Sequence, residues 1–363
     1  MNKQLRPRAI VTLRRNLLDW FGRHRRALPW RESRDPYRVW VAEVMLQQTR
    51  IAAVIPYYER FLAKLPTASA LAEAPEDEVL RLWSGLGYYG RARNLQRAAK
   101  EIVARHGGDF PRALDEAQAL PGIGRYTAAA VLSIAYDVPL AVLDGNVARV
   151  LARLGAIRGD LREPQRWRKL EQNAQALLAK HSAGDWNQGL MELGEVICTP
   201  RNPRCNACPI AKPCVARARG LTEQIPAPRR KRAPVKVRIA AAILRDERGR
   251  VLLVRDPGAH DNVLFSRMWQ FPAIEVTSHA QNELTEHLST TLGLKVGMLE
   301  ELPAARHGVT FRNISLLPFL ARVDKLPKHA RTLVLALDDL GNLPVSSATR
   351  KIAAALRHSK AGY

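Results

Sequence analysis

Glu43 stands in the stretch "WVAEVML", residues 40 to 46, as the one charged side chain of an otherwise apolar run. On a helix, Trp40 and Leu46 fall on the same face as Glu43, three residues to either side. A carboxyl held there loses water, its pKa rises, and it can keep a proton near neutral pH as a general acid must. The bland reading is a glutamate paired with one of the many arginines, and on this helix alone the two stand level. A second carboxylate, Asp144, sits in "AVLDGNVARVL" at the mouth of another helix, where an aspartate is ordinarily an N-cap. One protonated and one ionised carboxyl together are what cleavage through an oxocarbenium-like state requires.

The third chemical feature is sulfur. Cys198, Cys205, Cys208 and Cys214 are the only cysteines and fall within seventeen residues, spaced Cys-x6-Cys-x2-Cys-x5-Cys. A disulfide framework serving 363 residues would be spread more widely, so these read as one closed metal site. Zinc and a 4Fe-4S cluster both accept four thiolates, and the spacing does not separate them. The same loop bears Arg201, Arg204 and Lys212, which would let a metal shape a phosphate-binding surface.

The elements that must position these groups divide at a linker. From Leu5 to about Ala218 apolar residues recur at helical spacing, as in Leu13, Leu17, Leu18 and Phe21 or Leu80, Leu82 and Trp83. Asp35-Pro36 supplies an N-cap oxygen and a proline at the first helical position, so the helix of Glu43 begins there. In "LPGIGRYTAAAVLSIA", residues 120 to 135, two glycines form a tight hairpin that opens a small-residue helix at Thr127. Backbone N–H groups of Gly122, Gly124 and Arg125 at such a helix N-terminus can hold a phosphate oxygen without reading sequence. Residues 221–236 contain "IPAPRRKRAPVK" and read as an extended, solvated linker. Beyond it, "VRIAAAILRDERGRVLLVRD" predicts a hairpin turning at Glu247-Arg248-Gly249, followed by a helix from Gln281 to Leu292 ended by Gly293, and strands near Thr310 to Val323. The expected organisation is an all-α domain over 1–220, the linker, and an α+β domain over 237–363.

A formal charge of +23, from 57 Lys+Arg against 34 Asp+Glu, favours a polyanion as partner. Ala9 to Leu13 is too short an apolar run for a signal peptide, and no run approaches transmembrane length. No membrane role and a cytoplasmic, nucleoid-associated location are expected.

Taken in order, "LPWR", "WVAEVMLQQTR", "GLGYYGRARNL", "LPGIGRYTA", "VLDGNVARVL" and "WNQGLMELGEVICTP" resemble the MutY-type adenine DNA glycosylases of the endonuclease III, helix-hairpin-helix superfamily. The resemblance covers residues 28 to 214, and continues through the linker into a Nudix-like domain. It implies a monomer acting on double-stranded DNA in base excision repair, a 4Fe-4S cluster rather than zinc, and removal of adenine mispaired with 8-oxoguanine after the base is flipped out of the stack. By the same resemblance Glu43 protonates the adenine and Asp144 stabilises the sugar cation, with Tyr126 and Asn146 positioning Asp144 and the sugar. Arg31 and Gln188 read the adenine edge. Gln48 and Tyr88 wedge into the stack, flanked by Thr49 and Leu86. Bifunctional relatives carry a lysine where this chain has Tyr126, so a monofunctional glycosylase is expected rather than a lyase. A binding protein that has lost catalysis is disfavoured because both carboxylates are present.

The chain departs from the family pattern in the second domain. "WQFPAIEVTSHAQNELTEHLSTTLGL" has only Glu275, Glu283 and Glu286 where a Nudix hydrolase clusters glutamates around a metal, so the domain reads as a binding domain and not a nucleotide pyrophosphohydrolase. Where the family presents Phe-Ser-His to the lesion, the best match here is Phe311-Arg312-Asn313, which weakens the expected preference for 8-oxoguanine over guanine.

Overall fold

A computed structural model of the chain describes residues 6–227, 233–255, 267–309, 311–328 and 330–357. It divides into two compact units, Met1–Glu73 with Asn94–Arg230, and Ala74–Arg93 with Lys231–Tyr363. Residues 74–93, which sequence alone assigns to the helical domain, therefore cluster with the C-terminal part of the chain.

The first unit is helical: α1 (Pro7–His24), α2 (Pro36–Leu46), α3 (Ile51–Lys64), α4 (Ala68–Glu73), then, after α5 (Glu76–Trp83) in the second unit, α6 (Gly90–His106), α7 (Leu114–Ala119), α8 (Arg125–Tyr136), α9 (Gly145–Leu154), α10 (Pro164–Leu177), α11 (Ala183–Val196) and the short α12 (Val215–Ala218). Helix α2 starts as its sequence dictates: Pro36 leads it and an Asp35 carboxylate oxygen accepts from the Arg38 N–H at 2.7 Å. Helix α8 begins at Arg125, two residues before the expected Thr127, because Gly124 already serves as its N-cap.

Thr127 through Ile134 are all buried, so α8 is apolar on every side and lies at the centre of the unit. Its alanines let neighbours approach closely, and α11 answers with a glycine: a Cβ on Gly184 would stand 2.6 Å from the Ser133 carbonyl oxygen. One turn along α11, the buried Asn187 donates to Ser133 Oγ and to the Leu140 carbonyl and accepts from the Val142 N–H. That clamp fixes the strand-like segment leading to Asp144.

The segment after α12 is less solvated than its composition implies. Ile225 is buried in the helical core and Leu221 packs beside it, so the chain stays attached to the first unit up to that point. Residues 228–232 lie outside the described residues.

Among the described residues the second unit is built on a mixed sheet of eight strands: β1 (Val235–Arg245), β2 (Arg250–Arg255), β3 (Trp269–Gln270), β4 (Ala273–Glu275), β5 (Glu300–Glu301), β6 (Ala305–Val309), β7 (Arg312–Arg322) and β8 (Thr332–Ala336). β1 and β2 form the expected hairpin, with Gly249 at φ 75° in its turn. β1 then runs parallel to β7 over its whole length, from Val235 opposite Arg312 to Arg245 opposite Arg322. Because side chains alternate along a strand, β1 feeds two cores. Val237, Ala241 and Ile243 face the helix α14 (Ser347–Arg357), and Ala240, Ala242 and Leu244 face α13 (Ala280–Leu292). This is the α+β layering expected, and α13 closes on Gly293 in the left-handed conformation as its sequence predicts. Of the strand stretch expected near Thr310 to Val323, Thr310 itself lies outside the described residues.

Gly184→Ala is expected to lower the midpoint of urea unfolding, at a cost of about 1 to 3 kcal/mol, since the added methyl meets backbone that must shift. An unchanged midpoint would show that α8 and α11 are not in contact through this glycine.

Candidate active site and cysteine loop

A cleft of about 1100 Å³ in the first unit gathers Arg31, Glu43, Gln48, Thr49, Tyr126, Asp144, Asn146 and Gln188. Eight residues singled out from sequence thus meet in one place, brought there by α2, α8, α9 and α11.

Glu43 is 8% exposed, and its hydrogen-bond partner is no arginine: the Tyr126 hydroxyl donates to its Oε2 at 3.0 Å. Burial pushes the carboxyl up to about 7, the Tyr126 bond opposes this, the charge of Asp144 adds to it and that of Arg31 opposes it. The ion-paired alternative therefore fails, and Glu43 holds its proton near neutrality. The Tyr126 phenol, buried and facing Glu43 and Asp144, is itself raised well above its usual range and stays a donor. Sequence reasoning had directed Tyr126 toward Asp144; its hydroxyl goes instead to Glu43, with Met191 Sδ at 3.5 Å.

Asp144 is both things its position allowed. As N-cap of α9 its Oδ1 accepts from the Val147 N–H at 2.7 Å, and it also lines the cleft. Burial raises its pKa, while the N–H groups of Val147 and Asn146 and the charge of Arg149 pull the other way by stabilising the anion. Burial raises both carboxyls, but their partners differ: Glu43 gets one phenol, Asp144 a helix N-terminus.

The opposite wall is an ionic network. Arg31 donates to Gln188 Oε1 at 3.2 Å and to Glu192 Oε2 at 2.9 Å, while Arg26 binds both Glu192 and Glu195. Burial works against the charge of Glu192, but the Arg26 and Arg31 contacts outweigh it and lower its pKa. Glu192 escaped the sequence reading. The available signal was its spacing, one helical turn beyond Gln188 on α11.

At the cleft rim, α2 ends at Leu46 and Gln48 takes φ 57°, a left-handed conformation uncommon for a side chain of this size. Thr49 Oγ1 donates to the Gln47 carbonyl. The hairpin before α8 has Gly122 at φ 75°, packed against Asn94, and α8 carries no side-chain cap, so its first-turn N–H groups face outward. Arg125 makes a loose pair with Glu171 at 3.8 Å. In the second unit, Leu86 is buried in the turn after α5, whereas Tyr88 is 40% exposed at φ 49° with Arg91 over its ring. Phe311 is 42% exposed and leads β7, which Arg312 and Asn313 begin. Glu283 is spent locally: its carboxylate accepts from the N–H groups of Thr277, Ser278 and His279, so it caps α13 rather than facing a metal.

Cys198, Cys205, Cys208 and Cys214 line one small cavity with Ile197, Pro203 and Arg153. Among the described residues no group of three or more His, Cys, Asp or Glu is arranged to hold a single metal ion. Burial pushes the Cys208 thiol up to about 12, with the other three cysteines adding to it, so this thiol ionises only beside a cation. Two buried arginines on α9, one turn apart, reach this loop. Arg149 donates to the Cys198 carbonyl at 2.8 Å and to Asn146 Oδ1 at 2.9 Å. Arg153, 1% exposed, donates to Cys198 Sγ at 3.2 Å and to the carbonyls of Thr199, Pro200 and Ile225. Both were missed from sequence, although charged residues four apart in an apolar helix are the same anomaly as Glu43. Arg204 turns to the Val196 carbonyl, leaving Arg201 and Lys212 exposed on the loop.

A helical bundle with a phosphate-ready hairpin, two differently solvated carboxyls in a cleft and a four-cysteine loop defines a DNA glycosylase, and residues 41–178 match the family model described as HhH-GPD superfamily base excision DNA repair protein. The adenine DNA glycosylase of Rattus norvegicus is 48% identical over 219 residues, 58% of this chain and 42% of that protein. That of Mus musculus is 35% identical over 403 residues, 94% of this chain and 77% of that protein. Among solved structures, a thermostable thymine-DNA glycosylase is similar with TM-score 0.53 and 29% identity, over 58% of this chain and 98% of its own. The chain belongs to the adenine DNA glycosylase family.

The pKa of Glu43 carries a stability consequence. Its folded value of about 7 exceeds the ordinary 4.5, so the native state keeps a proton that the unfolded chain releases, and stability present below about 4.5 is lost as pH rises through 7. The loss is on the order of 3 kcal/mol. Glu43→Gln keeps an acceptor for Tyr126 and removes the penalty, so at about pH 8 it should melt at a higher temperature than the parent, with the gap closing toward about pH 5. Equal melting temperatures at both pH values would mean that Glu43 is not desolvated.

Proposed function

We propose that the protein hydrolyses the N-glycosidic bond of adenine mispaired with 8-oxoguanine or guanine, after flipping the adenine into the cleft of the first unit. The observation that carries this is the pair of carboxyls in one cleft with different partners, Glu43 buried beside a phenol and raised to about 7, Asp144 capped by the N-terminus of α9.

Glu43, held by Tyr126, donates its proton to the adenine ring at N7 and turns the base into a leaving group. Once ionised, it accepts a proton from the water that attacks the sugar. Asp144, anchored by the α9 N-terminus, stabilises the positive charge that develops on the sugar. Arg31, Gln188 and Glu192 present donors and acceptors to the adenine edge. Their mutual pairing holds them in place before the base arrives. Gln48, Thr49, Leu86 and Tyr88 support the opened stack, and the hairpin of Gly122, Gly124 and Arg125 grips phosphate without reading sequence. With Tyr126 donating to Glu43 and no lysine in its place, strand cleavage by Schiff-base chemistry is not part of the reaction.

The four cysteines line one cavity, and with the family resemblance they are read as holding a 4Fe-4S cluster rather than zinc. Such a cluster would fold the loop of Arg201 and Lys212 against DNA phosphate and is assigned no step of the cleavage. Phe311, Arg312 and Asn313 would meet the base opposite the adenine. An arginine there can donate to the oxidised or the plain guanine, so discrimination between them is expected to be modest.

A glycosylase assay on duplexes with adenine opposite 8-oxoguanine, guanine or cytosine tests the reading, with alkali added in one arm and omitted in the other. Adenine release from the first two, with strand breaks only after alkali, is expected. No release from any duplex would sink the enzyme reading, and breaks without alkali would favour a lyase. The rate should fall as pH rises above about 7, where Glu43 loses its proton. Glu43→Gln should abolish release while duplex affinity stays within a few-fold of the parent, a split that a merely structural Glu43 would not produce. Iron and acid-labile sulfide analysis of the native protein should find both, and stoichiometric zinc would overturn the cluster assignment.

A further inference from the structure

Within the second unit, residues 74–93 are not loosely appended. At the N-terminus of α5, Asp77 receives both Arg255 guanidinium nitrogens at 2.9 and 2.5 Å, and Glu76 pairs with Arg267 at 3.4 Å. At its other end Ser84, 2% exposed, donates through Oγ to the Val345 carbonyl at 2.5 Å and accepts from Arg350 Nη2 at 3.0 Å. Val345 and Arg350 flank the start of α14, which Ser346 caps by accepting from the Thr349 N–H. Thr349 Oγ1 in turn contacts the Trp269 carbonyl at 3.4 Å. Ser84, Ser346 and Thr349 are all buried, so this polar chain is held in the interior, where a misplaced partner is costly.

The next residue of α14 reaches elsewhere. Lys351 Nζ donates to the Arg306 carbonyl at 2.6 Å, on β6. β6 pairs with the start of β7, Gly308 opposite Asn313 and Val309 opposite Arg312. Adjacent residues of one helix therefore hold two things: the turn bearing Leu86 and Tyr88, and the hairpin whose end carries Phe311, Arg312 and Asn313.

We infer that α14 sets the position of the Leu86–Tyr88 turn, with Ser84 and Arg350 as positioning residues, and that Lys351 registers the same helix on the lesion-facing hairpin. The turn stands only two residues beyond Ser84, and Tyr88 holds a left-handed backbone at the surface; Trp83 and Arg91 brace the turn internally through the Leu86 and Gly87 carbonyls, while Ser84 and the Tyr89 hydroxyl tie it to Val345 at the start of α14. This rests on the reading of Tyr88 as a wedge. Ser84 and Arg350 act through the turn.

The test is a double-mutant cycle in the full-length protein, using a duplex with adenine opposite 8-oxoguanine and 2-aminopurine beside the mismatch to report unstacking. Ser84→Ala and Arg350→Met should each slow single-turnover adenine release on the order of tenfold and reduce the unstacking signal, while duplex affinity moves less. In a Tyr88→Ala background neither should add a further loss, because the group they position is gone. Full additivity, or unchanged rates in both single variants, overturns the inference while leaving the wedge reading intact. If Tyr88→Ala alone leaves release and unstacking unchanged, the wedge reading itself falls, and the inference with it. Arg350 is largely exposed, so Arg350→Met decides the question should Ser84→Ala fail to fold.

Discussion

The cleft depends on keeping one carboxyl out of water without giving it a cation. Glu43 lies on α2 with Trp40 and Leu46 on its face, and the nearest guanidinium, Arg31, is already engaged by Glu192. Arg26, Arg31, Glu192 and Glu195 form two pairs of opposite charges that cancel within the wall. Were Glu192 absent, Arg31 would be a bare cation facing Glu43 and would pull its pKa down, ending its service as an acid. A residue that touches no proton in the reaction thus protects the proton that matters.

The arrangement of α9 follows from the same economy of charge. Its N-terminus points at Asp144, where two backbone N–H groups and the helix dipole favour an anion. Its inner face carries Arg149 and Arg153, which cross to the cysteine loop and satisfy carbonyls that the loop's prolines and turns leave without partners. One helix therefore ties the carboxylate of the cleft to the segment holding the four sulfurs. Buried arginines are expensive to desolvate, and these two are matched by carbonyl and sulfur acceptors on every reachable side.

In the second unit the acidic side chains of the α13 region are dispersed. Glu283 is occupied as a helix cap by three backbone N–H groups, and Glu275 and Glu286 are exposed. What remains is a rigid frame: the long parallel pairing of β1 and β7 fixes the register of Phe311 to Asn313 at one end.

Much of this was legible in the chain itself. The Asp35-Pro36 start of α2, the glycine stop of α13, the β1–β2 turn and the alternation of β1 are local, set by capping, backbone freedom and side-chain period, so nearest neighbours along the sequence decide them. The two carboxylates, the hairpin and the cysteine spacing were equally visible, because an isolated charge or a dense sulfur cluster stands out against its background. Tertiary structure alone decided which partner each group meets: that Tyr126 serves Glu43, that Glu192 occupies Arg31, that Arg149 and Arg153 turn to the cysteine loop, and that residues 74–93 join the C-terminal unit. These pairings join residues that are distant in the chain, from 43 and 126 to 84 and 350, and depend on how helices pack. No local propensity encodes a contact whose two halves meet only after the core has closed.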